Sequence, residues 1–202
     1  MKWSTLCILC FYLCTNVRAS LNEVWCPDDA TECPFTLIVD YGLTMMAKNV
    51  LVTLRNGSLY RYDENGIVNQ TTISVNDLIT ADGYSEPRLV MTFNGTIPGP
   101  ALHVRKGQKV RLTVINLMLH ETTTVHVHGQ YQRGTPFSDG VPFVTQCPIL
   151  PGQTFVHNFQ ADPEGTFFYH SHSGPQLSNG LYGPFIVHPS LNKIDASQLT
   201  TQ

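Results

Sequence analysis

The second half of the chain alternates apolar and polar residues in short runs, which is typical of β-strands with one buried and one solvated face. The run from Lys109 to Val114 alternates strictly, and turn signals rich in Gly, Pro and Asn separate the runs. The pattern predicts strands over residues 88–93, 101–104, 109–116, 125–128, 155–159, 165–169 and 181–187. Short strands without a long helical pattern predict an all-β Greek-key sandwich.

The stretch before residue 87 has a less regular pattern. From Phe35 to Leu54 it is apolar and β-branched, and turn signals at residues 56–57 and 64–66 favour short strands. Met45 to Ala47 could begin a helical turn instead. We expect an N-terminal extension with short strands over residues 20–86, one sandwich domain over residues 87–189 and a polar tail over residues 190–202.

The first residues have the features of a secretory signal peptide. Lys2 precedes an apolar run, Leu6 to Leu13, that is too short to span a bilayer, and the small-residue site 17–19 follows it. We expect cleavage after Ala19 and secretion of the mature chain. No later part of the sequence is long and apolar enough to predict a membrane span.

Charge and sequons fit a secreted protein. The formal net charge is −3, and removal of residues 1–19 brings it to −5 because Lys2 and Arg18 are lost and no acidic residue is. A mildly acidic domain lacks the basic surface that nucleic-acid binding needs, so we exclude nucleic acid as a partner. Sequons at Asn56, Asn69 and Asn94 predict a glycoprotein.

Removal of the predicted signal peptide leaves an odd number of cysteines: Cys26, Cys33 and Cys147. Cys26 and Cys33 are near enough in sequence to close a small disulfide loop in an oxidising compartment. Cys147 would then lack a partner within this domain.

Two His-x-His pairs provide the candidate chemistry. His126 and His128 form the first pair, and His170 and His172 form the second. On an extended strand, residues i and i+2 point to the same face about 6.6 Å apart, a spacing that suits two neighbouring metal ions better than one. Two facing pairs could share their four nitrogens among several ions. Imidazoles without thiolates favour copper or a catalytic zinc over a closed structural zinc site.

These pairs lie in longer motifs that resemble those of multicopper oxidases. The sequence from about 87 to 189 is similar, in register and order, to the first cupredoxin domain of that family, especially in invertebrate laccases and ascorbate-oxidase-like proteins. The similar segments are Phe-Asn-Gly-Thr-Ile-Pro-Gly-Pro at 93–100, His-Val-His-Gly at 126–129, and residues 132–136, 139–142, 145–149 and 165–174. The resemblance implies a cupredoxin-like sandwich.

The resemblance also implies an activity. Multicopper oxidases take single electrons from phenols, related organic reductants or metal ions, and reduce O2 to water at a trinuclear copper cluster. It implies that His126 binds the type 2 copper, that His128 and His170 bind one type 3 copper, and that His172 binds the other. Asp139 matches an acidic residue that assists proton delivery in the family, although an ordinary turn aspartate before Gly140 fits the sequence equally well.

Part of the family's copper machinery is missing from this sequence. In the family, half of the cluster histidines come from a C-terminal domain, and a His-Cys-His stretch holds the type 1 copper; here Cys147 precedes Pro148. The cysteine that matches Cys147 pairs with one in a following domain. We therefore expect a chain cut off after its first domain, inactive alone, whose cluster is completed by complementary cupredoxin domains or in a homo-oligomer.

Two other functions stay open. The first is a non-enzymatic extracellular copper-binding module that uses the four histidines alone. The second is a zinc enzyme or a superoxide dismutase-like sandwich, because His-x-His pairs occur in such sites too, although the longer motifs count against it. The remaining histidines, His103, His120, His157 and His188, are interpreted as structural.

Overall fold

The computed structural model describes residues 22–191, except for positions 48–49, 57, 64–65, 71–73, 75–76 and 85. The predicted signal peptide, residues 1–19, and the predicted tail beyond residue 191 lie outside the described residues. No helix within the described ranges is long and apolar enough to cross a membrane.

The described part of the chain is almost entirely β-structure, which confirms the predicted fold class. The strands are β1 (Glu23–Trp25), β2 (Glu32–Leu43), β3 (Met46–Ala47), β4 (Val50–Arg55), β5 (Ser58–Asp63), β6 (Gly66–Gln70), β7 (Leu89–Phe93), β8 (Ala101–Arg105), β9 (Lys109–Asn116), β10 (Val125–His128), β11 (Thr154–Gln160), β12 (Gly165–Ser171) and β13 (Tyr182–His188). A short 3-10 helix, Pro136–Ser138, lies between β10 and β11. Strands β7 to β13 confirm the strands predicted from the alternating pattern.

Two sheets form the sandwich. The first sheet has the strand order β1-β8-β13-β12-β10, and the second sheet has the order β11-β9-β2-β7. Neighbouring strands are mostly distant in sequence, so the chain crosses repeatedly between the sheets, as in a Greek-key sandwich. A third sheet, β3-β4-β5-β6, is built from consecutive antiparallel strands. A turn at Thr44–Met45 precedes it, and Met46–Ala47 form β3, so the helical turn that the sequence left open over Met45 to Ala47 is not formed.

The core lies between the first two sheets and follows the alternating pattern. In β9, Val110, Leu112 and Val114 are fully buried, whereas Lys109 and Arg111 are exposed. Burial of such apolar surface is the main favourable term in folding, and alternation sends the remaining side chains to solvent.

The stretch before residue 87 contributes directly to the sandwich. β1 pairs in parallel with β8 at the edge of the first sheet, and β2 lies between β9 and β7 in the second sheet. The sandwich of this structure thus begins at Glu23 and includes part of the expected N-terminal extension. The other strands of the described extension, β3 to β6, form the third sheet.

The predicted disulfide between Cys26 and Cys33 is present, and Cys147 is exposed and free. Cys26 directly follows β1, and its amide donates a hydrogen bond to the carbonyl oxygen of His103 in β8. Cys33 lies in β2, fully buried. The disulfide therefore links the edge of the first sheet to the middle of the second.

Asn94 provides a second link to β2. Its side-chain oxygen accepts a hydrogen bond from the amide of Ile38 at 2.6 Å, and its side-chain nitrogen donates to the carbonyl of Thr36 at 3.1 Å. Glycosylation at the predicted sequons stays a prediction.

Replacing both Cys26 and Cys33 by Ser should lower the free energy of unfolding by about 2 kcal/mol, because the closed loop restricts the unfolded chain. Urea denaturation of the two proteins measures this difference. Cys147→Ser is the matched control, since it removes an exposed free thiol. An equal loss of stability in the control and the double variant would contradict the assignment of the effect to the disulfide.

Candidate metal centre

The antiparallel pairing of β10 with β12 brings the two His-x-His pairs together. Val125, Val127 and Tyr169 are buried in the core, so the alternate residues of both strands project from the outer face of the first sheet. The register places His126 opposite His170 and His128 opposite Phe168.

The four histidines form one cluster. Ligand atoms of His126, His128 and His170 all lie within 4.8 Å of one another, and Nδ1 of His128 is 3.5 Å from Nε2 of His170. His172 joins them, with its ring centroid 5.7 Å from that of His126 and 6.0 Å from that of His170. His170 is buried, His126 is half-buried, and His128 and His172 are exposed. The cluster is therefore open on one side.

Hydrogen bonds fix the tautomers of two of these rings. Nδ1 of His126 donates to the carbonyl oxygen of Asp139 at 2.6 Å, and Nδ1 of His170 donates to the carbonyl oxygen of Ser171 at 2.9 Å. A carbonyl oxygen can only accept, so each Nδ1 carries the proton and each Nε2 is left free as a ligand.

The loop that carries Asp139 is pressed against β10. The 3-10 helix Pro136–Ser138 leads into it, and the next residue, Gly140, has a φ of +85°. A Cβ at Gly140 would overlap the carbonyl oxygen of Val125, so only glycine permits this close approach. The carboxylate of Asp139 is half-buried, with Oδ1 3.4 Å from Nδ1 of His126.

His157 supports the same loop from β11. Its side chain is fully buried, and Nδ1 donates to the carbonyl oxygen of Ser138 at 3.0 Å. The hydroxyl of Ser138 in turn donates to the carbonyl of Asn158 and accepts from its amide, at 3.0 and 2.9 Å. His157 is thus a structural histidine, as expected, but no sequence pattern indicated that it holds the loop beside the cluster.

Burial also sets the charge state of two histidines. It lowers the pKa of His157 to about 4, and it lowers the pKa of His170, where the neighbouring histidines act in the same direction. Both rings are therefore neutral near pH 7, and neutral imidazole is the form that binds metal.

The other described histidines lie outside the cluster. His103 and His188 bond to each other, Nδ1 to Nε2, at 3.0 Å, and Trp25 stacks on His103 with ring centroids 3.9 Å apart. His120 is exposed in a loop. The contacts of His103 and His188 agree with the structural roles expected for them, and the structural role of His120 stays a prediction.

The clustered side chains fit copper. Several free imidazole nitrogens converge, and the group of three within 4.8 Å includes no thiolate, a donor set that suits copper. The same donors would also suit a catalytic zinc ion.

Comparisons with known proteins point to one family. A sequence profile described as multicopper oxidase matches residues 65–192. Laccase-2 of Botryotinia fuckeliana is 47% identical over 124 residues, which cover 61% of this chain and 21% of the relative. L-ascorbate oxidase of Cucurbita maxima is 48% identical over 105 residues, which cover 52% of this chain and 18% of the relative. The chain thus spans about a fifth of the length of these curated relatives.

Solved structures give the same result for the fold. The multicopper oxidase Fet3p, which functions in iron import, superposes with a TM-score of 0.57 at 32% identity, over 81% of this chain and 24% of that one. The blue copper oxidase of Nitrosomonas europaea superposes with a TM-score of 0.55 at 29% identity, over 84% of this chain and 42% of that one. These similarities confirm a cupredoxin-like sandwich.

The lowered pKa of His157 predicts a loss of stability in acid. The unfolded chain takes up this proton near pH 6.5 and the folded chain only near pH 4, so His157 stabilises the fold above pH 6.5 and that contribution is lost as the pH falls towards 4. The loss amounts to about 3 kcal/mol. His157→Gln, which can still donate to Ser138, should flatten the decline when unfolding is measured between pH 7 and pH 4.

His120→Gln is the control for this prediction, because it removes an exposed histidine. It should leave the pH dependence as it is in the original protein. If the His157→Gln protein declined as steeply as the original, burial would not suppress protonation of His157.

Proposed function

Since the chain belongs to the multicopper oxidase family, we propose that it is a secreted, copper-binding domain of a laccase-like oxidase. The complete enzyme would take single electrons from phenolic or related organic reductants, or from metal ions, and pass them to O2, which becomes water. The observation that carries the proposal is the convergence of three imidazoles, those of His126, His128 and His170, on the outer face of one sheet, with the ring of His172 beside them. The disulfide agrees with secretion, since such bonds persist in oxidising compartments.

Within the cluster we assign the histidines to separate coppers. His128 and His170 would bind one type 3 copper, which their 3.5 Å nitrogen separation supports. His126 would bind the type 2 copper and His172 the second type 3 copper. Bound copper would supply the redox centres for O2 reduction, and the chain's own part would be to hold neutral, oriented imidazoles in place.

Asp139 has two separable roles in this proposal. Its backbone carbonyl orients His126, and its half-buried carboxylate lies beside the cluster, where it can hold and release a proton. Only the carboxylate role depends on the side chain, so the two can be tested apart.

The cluster on this chain would be one half of the copper site. His128 and His172 are exposed, and a group of several coppers needs more ligands than four imidazoles provide. We propose that complementary cupredoxin domains, or a second copy of the chain, supply the other ligands and the type 1 copper, since these 202 residues contain no His-Cys-His stretch. The exposed thiol of Cys147 is available for a disulfide to such a domain.

Copper binding should depend on the clustered histidines. Replacing His128 and His170 together by Ala should reduce copper retained after dialysis to a small fraction of the original, because two clustered ligands whose nitrogens lie 3.5 Å apart are lost. Far-ultraviolet circular dichroism should show the sandwich still folded, since His128 is exposed and the core contacts of β10 and β12 remain. His120→Ala is the control and should keep the full copper content.

Unaltered copper content in the double variant would contradict the site assignment. Preferential retention of zinc, with hydrolytic activity, would contradict the copper proposal as a whole and favour the zinc enzyme.

Oxygen uptake separates an oxidase domain from a copper-binding module without activity. With copper and a phenolic reductant, the chain alone should consume no O2, and uptake should appear when complementary domains are supplied. In that assembly Asp139→Asn should keep the copper content but slow O2 uptake by about 10²-fold or more, because a proton donor is lost while the carbonyl that orients His126 remains.

Two outcomes would count against the proposed oxidase domain and its proton donor. No uptake in any reconstituted assembly would favour the non-enzymatic module. Uptake at the original rate in Asp139→Asn would show that the carboxylate is not a proton donor.

A further inference from the structure

Gln176 is a buried amide whose whole hydrogen-bonding capacity is used next to the cluster. Its side chain is 2% exposed and lies in the connection between β12 and β13. Oε1 accepts from the hydroxyls of Thr123 at 2.9 Å and Ser171 at 2.8 Å, and Nε2 donates to Oε2 of Glu121 at 3.0 Å and to the carbonyl of Thr122 at 2.9 Å. Two donors and two acceptors satisfy the amide fully and fix its orientation.

These four bonds connect the two ligand-bearing segments. Residues 121–123 lead into β10, which carries His126, and Ser171 lies between His170 and His172. The β10–β12 ladder ends at the pair Val125 and Ser171. Gln176 therefore joins the segments where the ladder stops.

Ser171 and the segment before β10 also bond directly to two of the clustered histidines. The carbonyl of Ser171 accepts the proton of His170 Nδ1, and the amide of His172 donates to the carbonyl of Thr124 at 3.3 Å. Gln176 thus holds the side chain of Ser171, and His170 bonds to its backbone carbonyl. A shift of Ser171 would move both histidines of the second pair.

The network continues to the second sheet. The hydroxyl of Tyr41, in β2, is 3.5 Å from Oε1 of Glu121, whose other oxygen receives the bond from Gln176. A chain of polar contacts therefore runs from β2 in the second sheet to Ser171 beside the ligands.

We propose that Gln176 is a positioning residue for the metal centre, which sets the separation of the two His-x-His segments through Ser171 and the 121–123 segment. The proposal rests on the proposed function in one respect, namely that the four histidines bind copper. The effect of Gln176 on the imidazoles does not depend on bound metal.

The test compares Gln176→Met, which keeps the side-chain length but removes all four bonds, with Gln108→Met. Gln108 is also a buried glutamine, 8% exposed, and it bonds to the amide of Arg105 and to the carbonyls of Pro27 and Ala30, away from the ligand-bearing segments. Thermal denaturation of both variants measures the general loss of stability. Ser171→Ala is the milder second variant: it loses one bond to Gln176 and the bond from the amide of Ser173 to the Ser171 hydroxyl, and it keeps the carbonyl that receives the His170 proton.

Two readouts are needed. In the metal-free protein, nitrogen NMR of the imidazoles should show His170 as a single Nδ1–H tautomer in the original protein and in Gln108→Met, but a mixture in Gln176→Met. Titration with copper alone should show affinity about 10-fold to 100-fold lower in Gln176→Met, an intermediate loss in Ser171→Ala, and little change in Gln108→Met.

An unchanged tautomer and affinity in Gln176→Met would overturn the proposal. So would equal losses of affinity in the two Met variants, because the effect would then follow stability alone. If the original protein bound no copper, the proposed function would fail, whereas the NMR comparison would still decide whether Gln176 positions the imidazoles.

Discussion

The pairing of β10 with β12 is the constraint on which the candidate site depends. Its register places His126 opposite His170, and it holds because Val125, Val127 and Tyr169 are buried on the other face of the same strands. A slip of one residue would turn the imidazoles into the core and the apolar side chains into solvent. The hydroxyl of Tyr169 adds a fixed point, since it donates to the carbonyl of Pro100 at 2.8 Å. Core packing therefore specifies the geometry of the candidate site.

Residues of the second sheet support the candidate site, although none of the clustered histidines in the described chain belongs to that sheet. On one side, His157 of β11 fixes the loop whose carbonyl at Asp139 orients His126. On the other side, Tyr41 of β2 reaches the ligand-bearing segments through Glu121 and Gln176. The imidazoles are thus positioned by polar groups outside the cluster, as is general for metal sites in proteins.

Sequence patterns predicted the strands and the candidate ligands, but not the contacts between residues that are distant in sequence. Alternation located β7 to β13, and the spacing of His126 with His128 and of His170 with His172 identified the candidate ligands. The central place of β2 could not be predicted, because an apolar run indicates a strand but not its partners. Gln176 and His157 were missed for a similar reason: a single buried polar residue has no periodicity, and the bond from Gln176 to Glu121 spans 55 residues.

The outer-face position separates the candidate ligands from the apolar core of the sandwich. In small domains that fold around a metal, the ligands are part of the core, and removal of the ion unfolds the chain. Here the core is closed by the inner side chains of the same strands, and the exposed imidazoles of His128 and His172 are solvated without cost to folding. The apolar core and the candidate metal site therefore lie on opposite faces of one sheet. In the proposed assembly, a surface that covers the outer face would add ligands without any rearrangement of the sandwich.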